Sequence, residues 1–216
     1  MQRNRQQTRA EIIEAVGRLL ARSGFRDLGI NAVAREAGVD KVLIYRYFGG
    51  LPELLTAFAE ETDFWPDLPE ITGHDNQSLA AMTEIERARL MVVGFGRALR
   101  KRPLTQEILR WELLERNELT ETLAHHREEQ GEKLFQNFQQ LQDVDIHAIG
   151  SLLAAGQTYL ILRSKTADIY NGLSLNSEDD WSRIERAACS VVDAAFAKKN
   201  ARKKLPAKAR RITRTK

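Results

Sequence analysis

The sequence predicts an all-α protein in two parts: a three-helix domain holding a helix-turn-helix, and a larger helical body joined to it by a linker helix. Three observations carry that prediction. Apolar residues recur at helical spacing through most of the 216 residues. Glycines and prolines, at Gly24, Gly38, Gly49, Gly50, Pro66, Pro69 and Pro103, fall between the periodic stretches. Charge is segregated as well: Lys and Arg against Asp and Glu number 9 to 5 over residues 1–50, 14 to 25 over 51–197, and 10 to none over 198–216. A polyanion is therefore attracted to the two ends and repelled by the middle.

Residues 7–23 read as the first helix, with Ile12, Ala15, Val16, Leu19 and Leu20 on one stripe. Gly24 stands where a left-handed C-cap is expected, and Phe25 and Leu28 turn the chain back over the core. Gly38 then separates two short periodic segments. Ile30, Val33, Ala34 and Ala37 share a face before it, and Val39, Leu43 and Ile44 share one after it. Asp40 is placed to cap the second segment with its carboxylate. Two helices joined by so tight a turn cross steeply, which is the unit that offers its second helix to a DNA major groove. Lys41, Tyr45, Arg46 and Tyr47 give that helix two cations and two phenols away from the core. Such groups pair with phosphates, and Arg reads guanine edges with two hydrogen bonds. The expected core of this head is Val16, Leu19, Phe25, Val33, Ile44 and Phe48. Arg3, Arg5 and Arg9 read equally as an arm to the minor groove or backbone and as a solvated basic terminus.

Pro52 fits the first turn of a linker helix over 51–65, with Leu54, Leu55, Phe58 and either Phe64 or Trp65 turned inward. The segment PDLPEITGHDNQ, 66–77, reads as a loop near the domain boundary. Body helices are expected over 78–102, 104–116, 118–141 (with Leu119, Leu123, Leu134 and Leu141 on its apolar face), 145–165 and 178–198. In the last two, small residues such as Gly150, Ala154, Ala155, Ala187 and Ala188 alternate with large apolar ones, as close helix packing requires. Residues 199–216 read as a disordered basic tail, either a sequence-blind DNA clamp or a solvated end. The expected domains are thus 1–50, 51–65, 66–198 and 199–216.

At AREAGV and IYRYFGGLPELL the chain resembles the TetR family of bacterial transcriptional regulators: an Ala-rich first motif helix, then a recognition helix running into an aromatic cluster and an acidic-leucine step. The resemblance covers residues 8 to about 60 in detail and the rest in gross architecture. Two positions depart from it. Leu51 stands where the family usually has Lys, and Gly29 where it often has Thr or Ser. Both usual residues touch DNA backbone, so the departures imply weaker or redistributed phosphate anchoring. The resemblance implies a homodimer through the last two helices, a double-stranded DNA operator as partner, and a small-molecule effector enclosed by the body.

The expected DNA contacts are Lys41, Tyr45 and Arg46 on bases, Tyr47 and Asn31 on phosphates, and Val42 or Leu43 on a thymine methyl. For the effector pocket the candidates are Phe95, Trp111, Phe135, Phe138 and Tyr159, although aromatics at helical spacing are more often ordinary core, with Glu112, Arg110 or Gln157 as polar contacts. The function that follows is a dimeric repressor released from a pseudo-palindromic operator by its effector. A sequence-indifferent DNA-packaging protein and a helical ligand carrier with a structural helix-turn-helix are the alternatives.

Composition argues against other classes. With 43% hydrophobic and 29% charged residues the chain is ordinary for a soluble protein, and no apolar run reaches the roughly 18 residues of a membrane span. MQRNRQQTRAEI lacks the apolar core of a signal peptide, so a cytoplasmic location is expected. Cys189 is the single cysteine and reads as a small buried residue. His125 and His126 are adjacent and point apart on a helix; no HExxH, CxxC, GxSxG or phosphate loop occurs. Neither an enzyme, nor a metal site, nor a cofactor is expected.

Overall fold

A computed structural model describes residues 2–62, 64–114, 116–138 and 144–204. In chain order its helices are α1 (Gln2–Ser23), α2 (Ile30–Ala37), α3 (Lys41–Phe48), α4 (Leu51–Glu61), α5 (Leu68–Thr72), α6 (Asn76–Ala80), α7 (Glu84–Arg100), α8 (Pro103–Leu114), α9 (Glu118–Phe135), α10 (Ile146–Arg163) and α11 (Glu178–Lys204). Between the last two lie short strands β1 (Ile169–Tyr170) and β2 (Leu173–Ser174). The all-α class expected from periodicity is the one observed. Leu141 and the tail from 205 onward lie outside the described residues, as do the side chains of Arg3 and Leu119.

Packing divides the chain into two compact units, the first formed by residues up to 67 together with 99–134. Its core gathers Ile12, Val16 and Leu20 of α1, Val33 of α2, Ile44 of α3 and Leu54, Leu55 and Phe58 of α4, and adds Ile108 of α8 and Leu123 of α9. Each such side chain contributes about 1.5–3 kcal/mol by leaving water. Of the six residues expected in this core, Phe48 is only half-buried against it. Polar groups follow the apolar ones inward: the buried Thr105 hydroxyl donates to the Phe64 carbonyl at 2.5 Å, and Gln106 Nε2 donates to the Leu99 carbonyl at 2.7 Å. Gly24, at φ +61°, has no Cβ, and the Trp111 ring fills that space; a Cβ there would lie 2.0 Å from the indole.

The second unit takes 68–98 and the described residues from 135 onward. Ala88 of α7, Phe138, Val144, Ile146 of α10, and Val192 and Phe196 of α11 form its core. Ion pairs tie α7 to α11: Arg97 grips Glu185 with two hydrogen bonds of 2.8 and 2.6 Å, and Arg89 meets Asp193 at 2.6 Å. The β1–β2 hairpin turns at Asn171 (φ 47°) and Gly172 (φ 78°), the pair of positive φ values that a two-residue hairpin favours. It is held locally, since Leu175 N donates to Asp168 O at 2.7 Å and Trp181 Nε1 to Leu175 O at 2.9 Å.

Several sequence expectations need correction. The segment 66–77 is not a plain loop: α5 lies in it and α6 begins in it. The linker helix ends at Glu61, where Thr62 leaves helical geometry, and not at 65. The helix expected from 78 begins at Glu84, and the last helix runs through Lys204, taking in the first residues assigned to a disordered tail. The 66–198 body is divided differently by packing, because α8 and α9 gather with the N-terminal helices through contacts distant in sequence.

Candidate nucleic-acid interface

Local chemistry builds this surface before tertiary contacts do. Gly38 ends α2 in the left-handed conformation (φ 67°), and its N–H reaches back to the Ala34 and Arg35 carbonyls. Two residues later Asp40 accepts a hydrogen bond from Val42 N at 2.8 Å, capping α3 as expected. Ile44 faces the core and is fully buried, which turns the remaining α3 positions outward. Lys41, Val42, Tyr45 and Arg46 are exposed, with Val42 at 61% and Tyr45 at 53%. Leu43 and Tyr47 are half-buried, and Asn31 stands exposed in the first turn of α2.

Neighbouring charges are arranged to leave this face cationic. Glu36 of α2 is held by Arg22 at 2.9 Å and Arg18 at 3.1 Å, and these two guanidiniums keep its carboxyl below the usual range. Arg46 leans on Tyr47, its carbon 5.1 Å from the ring centre and its Nη2 donating to the hydroxyl at 3.2 Å. On the Tyr47 ring also lies Arg5 of α1, at 5.5 Å, and Arg9 one turn later lies 5.0 Å from the Phe48 ring. Arg9 is thus held within the fold and is not a loose arm; its other partner is Glu61, in the last turn of α4. No local signal in the sequence pairs residues 52 positions apart.

Residues 12–58 match the model of the bacterial regulatory proteins of the tetR family. The match spans the helix-turn-helix and reaches into α1 and α4 on either side of it, and over that segment the chain is similar to the family. Its fold recurs in solved structures: a TetR-family transcriptional regulator from Haemophilus influenzae matches with a TM-score of 0.58 at 18% identity, over 86% of this chain and 96% of that one. A fatty acid degradation regulator from Bacillus halodurans matches with 0.57 at 15% identity, over 85% and 96%. A third regulator, from Marinobacter aquaeolei, gives 0.54 at 14% identity, over 88% and 97%. No curated protein sequence matches the chain. At these identities the structures speak for the fold alone, and the residue-level reading rests on the chain's own geometry.

The expected pocket aromatics separate. Trp111 belongs to the first unit, where Gly24 takes its ring. Phe138 is buried in the core of the second, under the Arg87 guanidinium at 5.9 Å. Phe135 stacks on His147 with centroids 4.5 Å apart and covers Gly150. Phe95 is half-buried on α7. Tyr159, 51% exposed, is an outward residue of α10 that meets the Tyr170 ring edge-on at 5.5 Å. Among the polar candidates, Gln157 is buried and donates to the Val92 carbonyl at 3.0 Å, and Arg110 pairs with Glu107 at 3.5 Å. Glu112 pairs with Arg127; burial pushes its carboxyl above the ordinary value although Arg127 opposes the shift. A cleft of about 400 Å³ in the first unit is lined by Gly17, Phe58, Phe64 and Leu104, with Glu14, Arg18 and Thr62, and includes none of the expected residues.

An apolar stripe lies elsewhere. Ala148, Leu152, Ala155 and Tyr159 are exposed at successive turns of α10, and Ala187, Val191 and Ala194 on α11, with Leu152 at 75%. No group of three or more His, Cys, Asp or Glu among the described residues is placed to hold a metal ion, and no described helix is long and apolar enough to cross a membrane.

Proposed function

We propose that this chain is a sequence-specific, dimeric transcriptional repressor released from a pseudo-palindromic operator by a small-molecule effector. The observation that carries the reading is the capped, core-backed α3 with Lys41, Val42, Tyr45 and Arg46 exposed together. On such a helix Lys41, Tyr45 and Arg46 reach base edges, Val42 or Leu43 meets a thymine methyl, and Tyr47 and Asn31 bind phosphate. Dimerisation is supported by the α10 and α11 stripes, which present large Leu152, Tyr159 and Val191 beside small Ala148, Ala155, Ala187 and Ala194. Large and small side chains on one surface are what interdigitation with a second copy across a two-fold axis requires. Two reading helices related by that axis enter successive major grooves, and an effector that binds better to another arrangement of the subunit releases them. Phe95, Phe135 and Phe138 remain the pocket candidates on the second unit.

Footprinting of the full chain on DNA flanking its own gene, at near-physiological salt, tests this reading against a chain ending at Lys204. A protected pseudo-palindrome that survives the truncation supports a specific dimeric regulator. Diffuse protection that vanishes with the basic tail favours the packaging alternative, for which the charge of the C-terminal end speaks.

A further inference from the structure

Arg9 touches the ends of two helices with one side chain. Its guanidinium edge gives both nitrogens to the Glu61 carboxylate, at the last turn of α4, with Nη2 at 2.5 Å from Oε1. Its carbon meanwhile lies 5.0 Å from the ring centre of Phe48, the last residue of the reading helix α3. Arg5, one turn earlier on the same face of α1, lies over Tyr47, and Tyr47 and Phe48 pack edge to face at 6.5 Å. A planar guanidinium serves a carboxylate in its plane and a ring on its face at once; an ammonium is a point charge and does not hold both directions together.

We propose that Arg9 is a positioning residue that fixes the angle between α4 and the reading helix α3, and through it the spacing of the two reading helices in the dimer. The proposal rests on the dimeric, operator-binding function above. Stability alone does not account for the arrangement. The Arg9 and Glu61 side chains are 36% and 41% exposed, and an ion pair so wetted contributes little to folding. What such a pair does supply is direction. The chain between α3 and α4 is Gly49 and Gly50, which by themselves leave the two helices free to pivot. The shared core of Ile44, Leu54 and Leu55 holds the near ends of the two helices, and Arg9 ties the far end of α4, some ten residues along the helix, where a small angular change is largest.

The test uses the full chain and an operator duplex selected from random sequence by the wild-type protein. That duplex is then rebuilt with its half-sites one base pair closer or farther apart, a shift of about 3.4 Å. Arg9→Lys keeps the charge and loses the fork; Glu61→Gln keeps the shape and loses the charge. Both variants should bind the best duplex roughly tenfold more weakly and discriminate less between spacings. Base preference within a half-site and melting temperature should stay near wild type. Wild-type spacing discrimination in both variants overturns the proposal. So does a loss of affinity that is equal at every spacing and accompanied by a lower melting temperature. A wild-type protein that selects no spaced pseudo-palindrome removes the function and the inference together; a wild-type preference that the variants keep removes the inference alone.

Discussion

The outward face of α3 and the outer face of α10 and α11 both expose apolar side chains, but in different electrostatic company. On α3, Val42 and Tyr45 stand among Lys41 and Arg46, and acids nearby are neutralised, Glu36 by Arg22 and Arg18. On α10 the exposed run Ala148, Leu152, Ala155 and Tyr159 holds no charge for three turns. A polyanion with methyl groups in its groove suits the first surface, and a second apolar helix suits the other. Exposure is common to both faces, and the company of charge distinguishes them.

The sharpest way to break this comparison is to put charge on the uncharged face. Leu152→Glu should weaken self-association by roughly 3–5 kcal/mol, since a two-fold interface would bury two unpaired carboxylates. Sedimentation velocity should show a monomer at concentrations where the wild type is dimeric, with helicity by circular dichroism unchanged. Next in size is the support behind the reading face. Gly24→Ala should cost about 2–4 kcal/mol of stability, because the new methyl meets the Trp111 ring while its backbone stays at positive φ. A denaturant midpoint close to wild type would show that this packing yields easily.

Smaller effects sharpen the charged face. Arg46→Ala should lose roughly 1–3 kcal/mol of operator binding and relax preference at one base pair, whereas Asn31→Ala should weaken binding evenly across sequences. Competition binding on a panel of single-base operator variants separates the two. The smallest effect is acid sensitivity. Arg9 holds Glu61, and Arg22 with Arg18 holds Glu36, below the ordinary carboxyl value. Carboxyls lowered by folding stabilise above their unfolded value, about 4.3 for Glu, and lose that contribution as pH falls through the lowered one. Melting temperatures should therefore drop below about pH 4, less steeply in Glu61→Gln than in wild type.

The helix-turn-helix was legible residue by residue because its determinants are local. Gly38 alone supplies the left-handed stop, Asp40 caps within two residues, and the 3.6-residue period decides that Ile44 goes in and Tyr45 out. Composition likewise marked the small-residue character of the last two helices. What sequence spacing did not carry is which faces meet. Trp111, Phe138 and Tyr159 look alike as apolar aromatics on helices, but the first fills the hollow over Gly24, the second is core and the third is surface.

The sequence by itself determined the helical class, the turn of the helix-turn-helix and the orientation of its side chains, all of which arise from hydrogen bonds and steric limits within a few residues. Only the tertiary structure decided that α8 and α9 pack with the N-terminal helices, that Arg9 joins Glu61 and Phe48, and that 169–174 forms a hairpin beside Tyr159. Those outcomes depend on pairing surfaces tens of residues apart. The free energy of such pairing comes from apolar area and charge that many partners could offer, so it is settled by the fit of the whole chain and not by any one segment of it.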